Sequence, residues 1–287
     1  MHCRARRGSP AVSAPLRRRY VDGRHGQVHL RVAQPEASTG HRPLVCFHLS
    51  PVSGVVYERF LAEMGRDRLA VAPDTPGYGA SDPPAVPPTI ADYAQAMGDV
   101  LDALAIRECD IVGYHTGSKI AVALAIARPA AVRHLVLIGA PVYTHEELAR
   151  MRAHLARNFE PTEDGAHLVD YWRAVLNWRG PGQTLGMIMQ GFPDALRGAE
   201  RRAWGHRAAF EWSHADHLPQ VDQPVLVLNP RDDLWEYTPR AVACLKHGRV
   251  VNLPDWGHGF LDLHTAEVGR LVRRFVDHAE LPEAGPA

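Results

Sequence analysis

One turn in the sequence displays a side chain that can do chemistry. The pattern Gly-x-His-x-Gly occupies residues 113–117, with His115 at its centre; a strand-like run precedes it and a helix of small residues follows it. A turn of this kind projects its central residue and demands a positive φ, which His tolerates better than most residues that have a side chain. His115 is therefore the first candidate for a catalytic group.

An imidazole at such a turn has three possible uses. It can attack a carbonyl carbon with its lone pair, but the acyl-imidazole formed is itself activated, so the donor must be an aryl ester, a thioester or a lactone. It can instead move protons as an acid or base, in a hydrolase or in a lyase or decarboxylase-like enzyme. It can also remain on a scaffold that only binds a small ligand. The sequence leaves these alternatives open.

Two later segments supply partners for an imidazole. Asp232 and Asp233 follow the apolar run at residues 225–228, and His258 stands between two glycines after another apolar run at residues 250–253. The chain has 17 histidines, so a lone His is more often a surface residue than a catalyst. His258 stands out because of its glycines and because an acidic residue lies upstream of it. Asp232 and Asp233 can also be interpreted as a solvated acidic pair at the end of a strand.

Taken together, these segments resemble the α/β-hydrolase superfamily over about residues 20–278. His115 occupies the nucleophile elbow, where the family has Ser, Cys or Asp. Residues 44–51 are similar to the family's His-Gly-x-Pro loop, with Leu49 in place of the Gly. Residues 72–82 closely match its Asp-x-Pro-Gly-x-Gly-x-Ser loop, which we expect to have a structural role.

The resemblance implies a role for each site residue. Asp233 takes the place of the triad acid, with Asp232 as the alternative, and His258 takes the place of the general base. An oxyanion hole is implied at the N–H of Thr116 and at an N–H near Leu49 or Ser50. The expected pocket residues are His48, Tyr114 and Trp172. The implied activity is hydrolysis of a small carbonyl compound: an activated ester, a thioester, a lactone or a C–C bond.

Helix and strand patterns alternate along the chain, as they do in folds that hold functional loops at the ends of parallel strands. Short buried-strand patterns alternate with helical stretches, which indicates a doubly wound, mostly parallel α/β sheet with a helical lid insertion, and the resemblance implies eight strands. The strands are predicted at residues 27–32, 44–47, 69–72, 110–112, 135–138, 225–228 and 250–253, and the core helices at 90–104, 119–127 and 260–278.

The chain divides into a core, an insertion and a tail. Residues 20–141 and 217–280 are predicted to form the α/β core, and residues 142–216, with helix-like stretches and four tryptophans, the lid. Residues 1–19 are rich in Arg, Pro, Ser and Ala and are predicted to be a flexible basic tail.

The composition limits the classes of molecule that this protein is expected to bind. The 32 basic residues balance the 32 acidic ones, which argues against nucleic acid, and no apolar run reaches the roughly 18 residues of a membrane span. We therefore expect a cytoplasmic protein with a small-molecule substrate; the oligomeric state is not determined. The four cysteines lack paired spacing and are predicted to be reduced thiols. Neither a metal site nor a cofactor is predicted, because a His-Glu-x-x-His motif and a Gly-x-Gly-x-x-Gly turn are absent.

Overall fold

The fold is built on one eight-stranded sheet. The computed structural model describes residues 14–155 and 160–281. The strands lie in the order β1-β2-β4-β3-β5-β6-β7-β8. Their bounds are β1 (Arg17–Gly23), β2 (Gly26–Ala33), β3 (Leu44–Phe47), β4 (Ala70–Pro73), β5 (Cys109–Tyr114), β6 (Val132–Ile138), β7 (Val225–Pro230) and β8 (Gly248–Leu253).

The sheet is antiparallel at one edge and parallel elsewhere. β2 runs antiparallel to both β1 and β4, whereas every pair from β4 through β8 is parallel. β3, β4, β5 and β7 are buried along their whole length, as expected of parallel strands with helices on both faces. The predicted doubly wound α/β sheet is confirmed.

The boundary predicted for the basic tail is wrong. Arg17, Arg18 and Arg19 belong to β1 and pair with β2, and the N–H of Ala14 donates to the carbonyl of Ala62. The polar, exposed sequence of β1 hid this edge strand, because an edge strand with solvent on its outer side needs no apolar face. Residues 1–13 of the predicted tail lie outside the described residues.

Helices cover both faces of the sheet and form the insertion. They are α1 (Glu58–Met64), α2 (Ile90–Ala103), α3 (Thr116–Ala127), α4 (His145–Leu155), α5 (Ala166–Asn177), α6 (Leu185–Leu196), α7 (Trp204–Phe210), α8 (His214–His217), α9 (Phe260–Leu263) and α10 (Thr265–His278). The helices α4 to α7 lie within the segment predicted as a lid, and α8 ends one residue beyond it. None of the helices in the described ranges is long and apolar enough to cross a bilayer.

The lid lies directly on the loops at the carboxyl ends of the strands. The N–H of Gly205, in α7, donates to the Tyr78 hydroxyl at 2.6 Å. Gly180 packs so closely on the loop after β8 that a Cβ there would lie 2.2 Å from the His258 carbonyl oxygen. A glycine is therefore required at position 180, and lid and base loop touch backbone to backbone.

A buried carboxylate organises the loop that matches the family's Asp-x-Pro-Gly pattern. Asp74 accepts hydrogen bonds from His29 Nδ1 at 2.8 Å, Arg31 Nη1 at 2.6 Å and the N–H of Gly54 at 2.9 Å. Burial works to raise the pKa of Asp74, but the bond from His29 and the charge of Arg31 lower it. The residue is a structural anchor that ties β2 to the loops around the site.

The three cysteines within the described residues are free thiols. Cys46 and Cys109 are buried in β3 and β5, and Cys244 is partly exposed. Burial raises the pKa of Cys46 and brings that of Cys109 to about 12, so both are inert.

Candidate active site

His115 stands at the apex of the turn between β5 and α3. Its backbone has φ 49° and ψ −106°, and its N–H donates to the Ile138 carbonyl at 2.8 Å. Gly139, just after β6, makes room for the ring, because a Cβ there would lie 2.9 Å from His115 Cδ2. The backbone is strained in the way the sequence pattern predicts, and the neighbouring strand end is shaped to admit an imidazole.

The His115 ring is bound to a buried carboxylate. Its Nε2 lies 2.9 Å from Asp232 Oδ2, while the other oxygen of Asp232 accepts the N–H of Leu234 at 2.9 Å. The Asp232 side chain has no exposed surface, and that of His115 is 12% exposed. Because a carboxylate only accepts, Nε2 carries the proton and the free lone pair of a neutral His115 lies on Nδ1.

A second His–Asp pair stands beside the first. His258 Nε2 lies 2.9 Å from Asp233 Oδ1, and both side chains are 22% exposed. Burial works to lower the pKa of His258, but the hydrogen bond and charge of Asp233, with the charge of Asp232, raise it to about 8. Burial works to raise the pKa of Asp233, whereas the His115 and His258 rings hold it well below its usual range. The pair is an imidazolium–carboxylate pair at neutral pH.

Tyr114 links the two imidazoles. Its ring meets that of His115 edge-on at 4.7 Å between centroids, and its hydroxyl lies 3.3 Å from His258 Nδ1. The phenol is buried, and burial together with the charges of Asp232 and Asp233 raises its pKa well above the ordinary value. Tyr114 is therefore a neutral hydroxyl that contacts the base loop from beneath the turn.

The lid contributes a third imidazole. His206 lies in α7, next to the Gly205 that bonds Tyr78, and its ring stacks on Phe210. Burial, the Arg202 cation and the His115 ring lower its pKa to about 4. The charge of Asp233 and a hydrogen bond with the Ser50 backbone act in the opposite direction but are weaker. His206 is therefore uncharged and within electrostatic range of both the turn and the acid loop.

The predicted oxyanion-hole residues lie at two adjoining segments. Thr116 is the first residue of α3, where a backbone N–H has no acceptor within the helix. Ser50 is buried in the loop after β3, and its side chain bonds to that of Tyr78. Leu49, in the same loop, uses its carbonyl to accept a bond from the His48 ring. Their part in binding an oxyanion stays a prediction.

Both ring nitrogens of His48 are used within the loops around the site. Its Nδ1 donates to the Leu49 carbonyl at 2.9 Å and its Nε2 accepts the N–H of Thr75 at 2.8 Å, with the side chain almost wholly buried. His48 therefore has a structural role, and its place in the pocket stays a prediction. The Trp172 ring packs edge-on against Phe192 within the lid, and its role in the pocket stays a prediction.

Two residues of the site were not foreseen in their roles. Asp232 was an alternative acid for His258, but it partners His115. His206 was not singled out among the histidines of the lid. The sequence did indicate a second partner, because two adjacent acids and two histidines in glycine-containing turns can form two separate His–Asp pairs. Nothing in the sequence marks His206, which the lid brings in from about 90 residues after the turn.

Comparison with known proteins gives the family. Residues 42–265 match the sequence model of the alpha/beta hydrolase fold. The chain belongs to the alpha/beta hydrolase fold family. A segment of 81 residues is 44% identical to 2-hydroxymuconate semialdehyde hydrolase of Pseudomonas sp. strain CF600, covering 28% of each protein. Over 245 residues the chain is 26% identical to non-heme chloroperoxidase of Streptomyces lividans, covering 77% of this chain and 87% of that protein.

Solved structures of alpha/beta hydrolases share this fold at low identity. The enol-lactonase of Burkholderia xenovorans LB400 superposes with a TM-score of 0.73 and 18% identity, covering 91% of this chain and 100% of the lactonase. In this alpha/beta hydrolase, Asp233 of the acid loop is bonded to His258 of the base loop. His115 at the elbow is bonded to a separate carboxylate, that of Asp232.

Proposed function

We propose that this alpha/beta hydrolase cleaves a small carbonyl compound with water, using His115–Asp232 as the base and His258–Asp233 as the acid. The observation that carries the proposal is the pairing of His115 Nε2 with Asp232 Oδ2, opposite a second His–Asp pair. Two imidazoles, each oriented by its own carboxylate, suit the division of proton transfer between a base and an acid.

The pairing favours proton transfer over attack by His115 itself. The Nε2 atom of His115 is bound to Asp232. This carboxylate orients the ring and stabilises its protonated form, as the carboxylate of a Ser-His-Asp triad does for its histidine. An acyl group on His115 would remain activated, so that route gains little. Removing a proton from water uses the Nδ1 lone pair and needs no covalent intermediate.

The raised pKa of His258 supports its role as the acid. With a pKa of about 8, the ring is protonated at neutral pH. Asp233 holds the Nε2 proton, so the proton given to the leaving atom as water adds to the carbonyl carbon is that on Nδ1, which exchanges its 3.3 Å contact with the Tyr114 hydroxyl for one with the substrate. The water proton goes to His115, the His258 proton goes to the leaving atom, and exchange with solvent resets both rings. His206 is uncharged and its single N–H is used by the Ser50 backbone, so we propose that its other ring nitrogen accepts a hydrogen bond from the substrate.

The substrate class follows from the relatives and the lid. The relatives include a semialdehyde hydrolase and a structural neighbour is an enol-lactonase, both named for small carbonyl substrates. A lid that packs directly on the loops at the strand ends fits a small molecule rather than a polymer. We therefore place lactones and unsaturated keto acids first, with activated esters and thioesters after them.

A substrate panel with trapped intermediates tests the proposal. Purified protein is offered lactones, unsaturated keto acids, aryl esters and thioesters, and the best substrate is followed in His115→Ala and in the surface variant His145→Ala. We expect His115→Ala to lose roughly 10²- to 10⁴-fold in kcat, with no change in His145→Ala. Acid-quenched mass spectrometry during turnover should show unmodified enzyme.

Three results contradict the proposal. An acyl adduct on His115 would assign it as a nucleophile. Cleavage without incorporation of oxygen from labelled water would indicate a lyase or decarboxylase-like reaction. Substrate-class ligands that bind but never turn over, with affinity unchanged in His258→Ala, would indicate a binding protein.

A further inference from the structure

The residue that departs from the family pattern completes a set of metal-ligand atoms. A nitrogen of His115 and one carboxylate oxygen each of Asp232 and Asp233 lie within 4.8 Å of one another. In an ordinary elbow with Ser, the same place would offer the carboxylates alone. His115 lies 117 positions before Asp232, which is why spacing rules predicted no metal site.

We propose that His115, Asp232 and Asp233 bind a divalent transition-metal ion. One imidazole nitrogen and two carboxylate oxygens are a ligand set that Zn²⁺ uses, and three protein ligands leave positions open for water. The imidazole favours Zn²⁺, Co²⁺ and similar ions over Mg²⁺ and Ca²⁺, which prefer oxygen alone.

The ligands are held as a metal site requires. Asp232 keeps its second oxygen on the N–H of Leu234, and Asp233 accepts a bond from His258 Nε2. These contacts fix the direction of each carboxylate from outside the ligand set, which is the part that outer partners play around bound metals. The His115 ring is fixed from behind by the strained turn and by Tyr114.

The two carboxylates outweigh the single positive charge that His258, bonded to Asp233, carries when protonated, so the cluster keeps a net negative charge that suits a dication. Two carboxylates converge here with His115, whose Nε2 now shares its proton with Asp232 at 2.9 Å. An ion takes the place of that proton: the Nε2 lone pair and the Asp232 oxygen both turn to the metal, and the ring proton moves to Nδ1. Ion binding and the proton transfer proposed above therefore exclude each other, because they use the same two atoms.

Direct binding measurements test the site without any substrate. Untagged full-length protein is dialysed against a chelator and titrated with Zn²⁺ by calorimetry and with Co²⁺ by visible absorption. The variants are His115→Ser, which restores a usual elbow residue, and Asp232→Asn, which keeps the bond from Leu234. The control is His145→Ser, which removes an exposed imidazole.

We expect one Zn²⁺ per chain, with affinity lowered by at least about a hundredfold in His115→Ser and Asp232→Asn and unchanged in His145→Ser. Co²⁺ should give absorption bands that the first two variants lose, and Mg²⁺ should not compete. Equal Zn²⁺ binding by the parent and His115→Ser, or no binding by either, would overturn the proposal. Failure of the catalytic proposal leaves this result untouched, since the readout is binding alone.

Discussion

The rings of His115 and His258 meet edge-on, with their centroids 5.7 Å apart and their planes at 73°. Behind each ring stands its own carboxylate, and the two carboxylates are adjacent in the sequence. The elbow of this alpha/beta hydrolase thus carries a His–Asp pair of its own beside the pair formed by the acid and base loops. Four predictions follow from that geometry and from the packing around it.

The first concerns Asp232. Asp232→Asn keeps the size of the side chain and an oxygen for the Leu234 N–H, but it removes the charge that orients and stabilises protonated His115. We expect kcat to fall by roughly 10²- to 10⁴-fold with KM little changed, because the carboxylate acts on the ring and not on the substrate. Asp170→Asn, on the lid surface, is the control. An unchanged kcat in Asp232→Asn would remove His115–Asp232 from the mechanism.

The second concerns pH. Because the acid role needs protonated His258, kcat/KM should fall above a pH of about 8. Asp233→Asn removes the charge and leaves only a neutral acceptor for the His258 N–H, so the pKa of His258 should drop and the fall should begin at lower pH in that variant. Steady-state kinetics across pH 6 to 10 with a stable buffer series measures both. A rate that rises through pH 8 would make His258 the base instead.

The third concerns Gly139. In Gly139→Ala the new Cβ lies 2.9 Å from both His115 Cδ2 and Leu234 Cδ1, at a residue with φ +71°. Gly40 has φ +80° with nothing within 4 Å, so Gly40→Ala isolates the backbone cost of about 1–2 kcal/mol. We expect Gly139→Ala to lower the free energy of unfolding by more than Gly40→Ala, and to lower kcat by displacing the ring. Urea unfolding compares the two; equal losses would show that the ring is not confined there.

The fourth concerns Lys119, a buried amine in α3. Its Nζ donates to the Trp212 carbonyl at 2.6 Å, and burial lowers its pKa from 10.5 to about 7. Between those values the unfolded chain binds a proton that the native protein does not, so stability rises with pH. Lys119→Met should lack this rise, whereas the surface variant Lys246→Met should keep it. Urea unfolding at pH 7 and pH 9 measures the difference, and identical pH dependence in all three proteins would contradict it.

Much of the architecture could be read from the sequence because local patterns encode it. The run at residues 44–47 coincides with β3, and the helix predicted at residues 90–104 is α2, Ile90–Ala103. Buried parallel strands are continuous apolar runs, and α2 begins at a capping box formed by Thr89 and Asp92. β1 was missed because its side chains are exposed and polar.

The same distinction holds for the site, where local sequence patterns predict some features and tertiary contacts decide the others. The sequence by itself determined that His115 is displayed at a strand-to-helix turn, because that turn is a local pattern of glycines and its strain is local too. It also determined the order of turn, acid and base loop along the chain.

Tertiary structure alone decided which carboxylate serves which ring. The N–H of Asp232 bonds to the Pro230 carbonyl and the N–H of Leu234 bonds to Asp232, so the adjacent acids point to different histidines. Side-chain direction in a short loop depends on such contacts, and the sequence spacing that marks a strand or a turn carries no record of them. The same holds for His206, which reaches the site only because the lid folds over the strand ends.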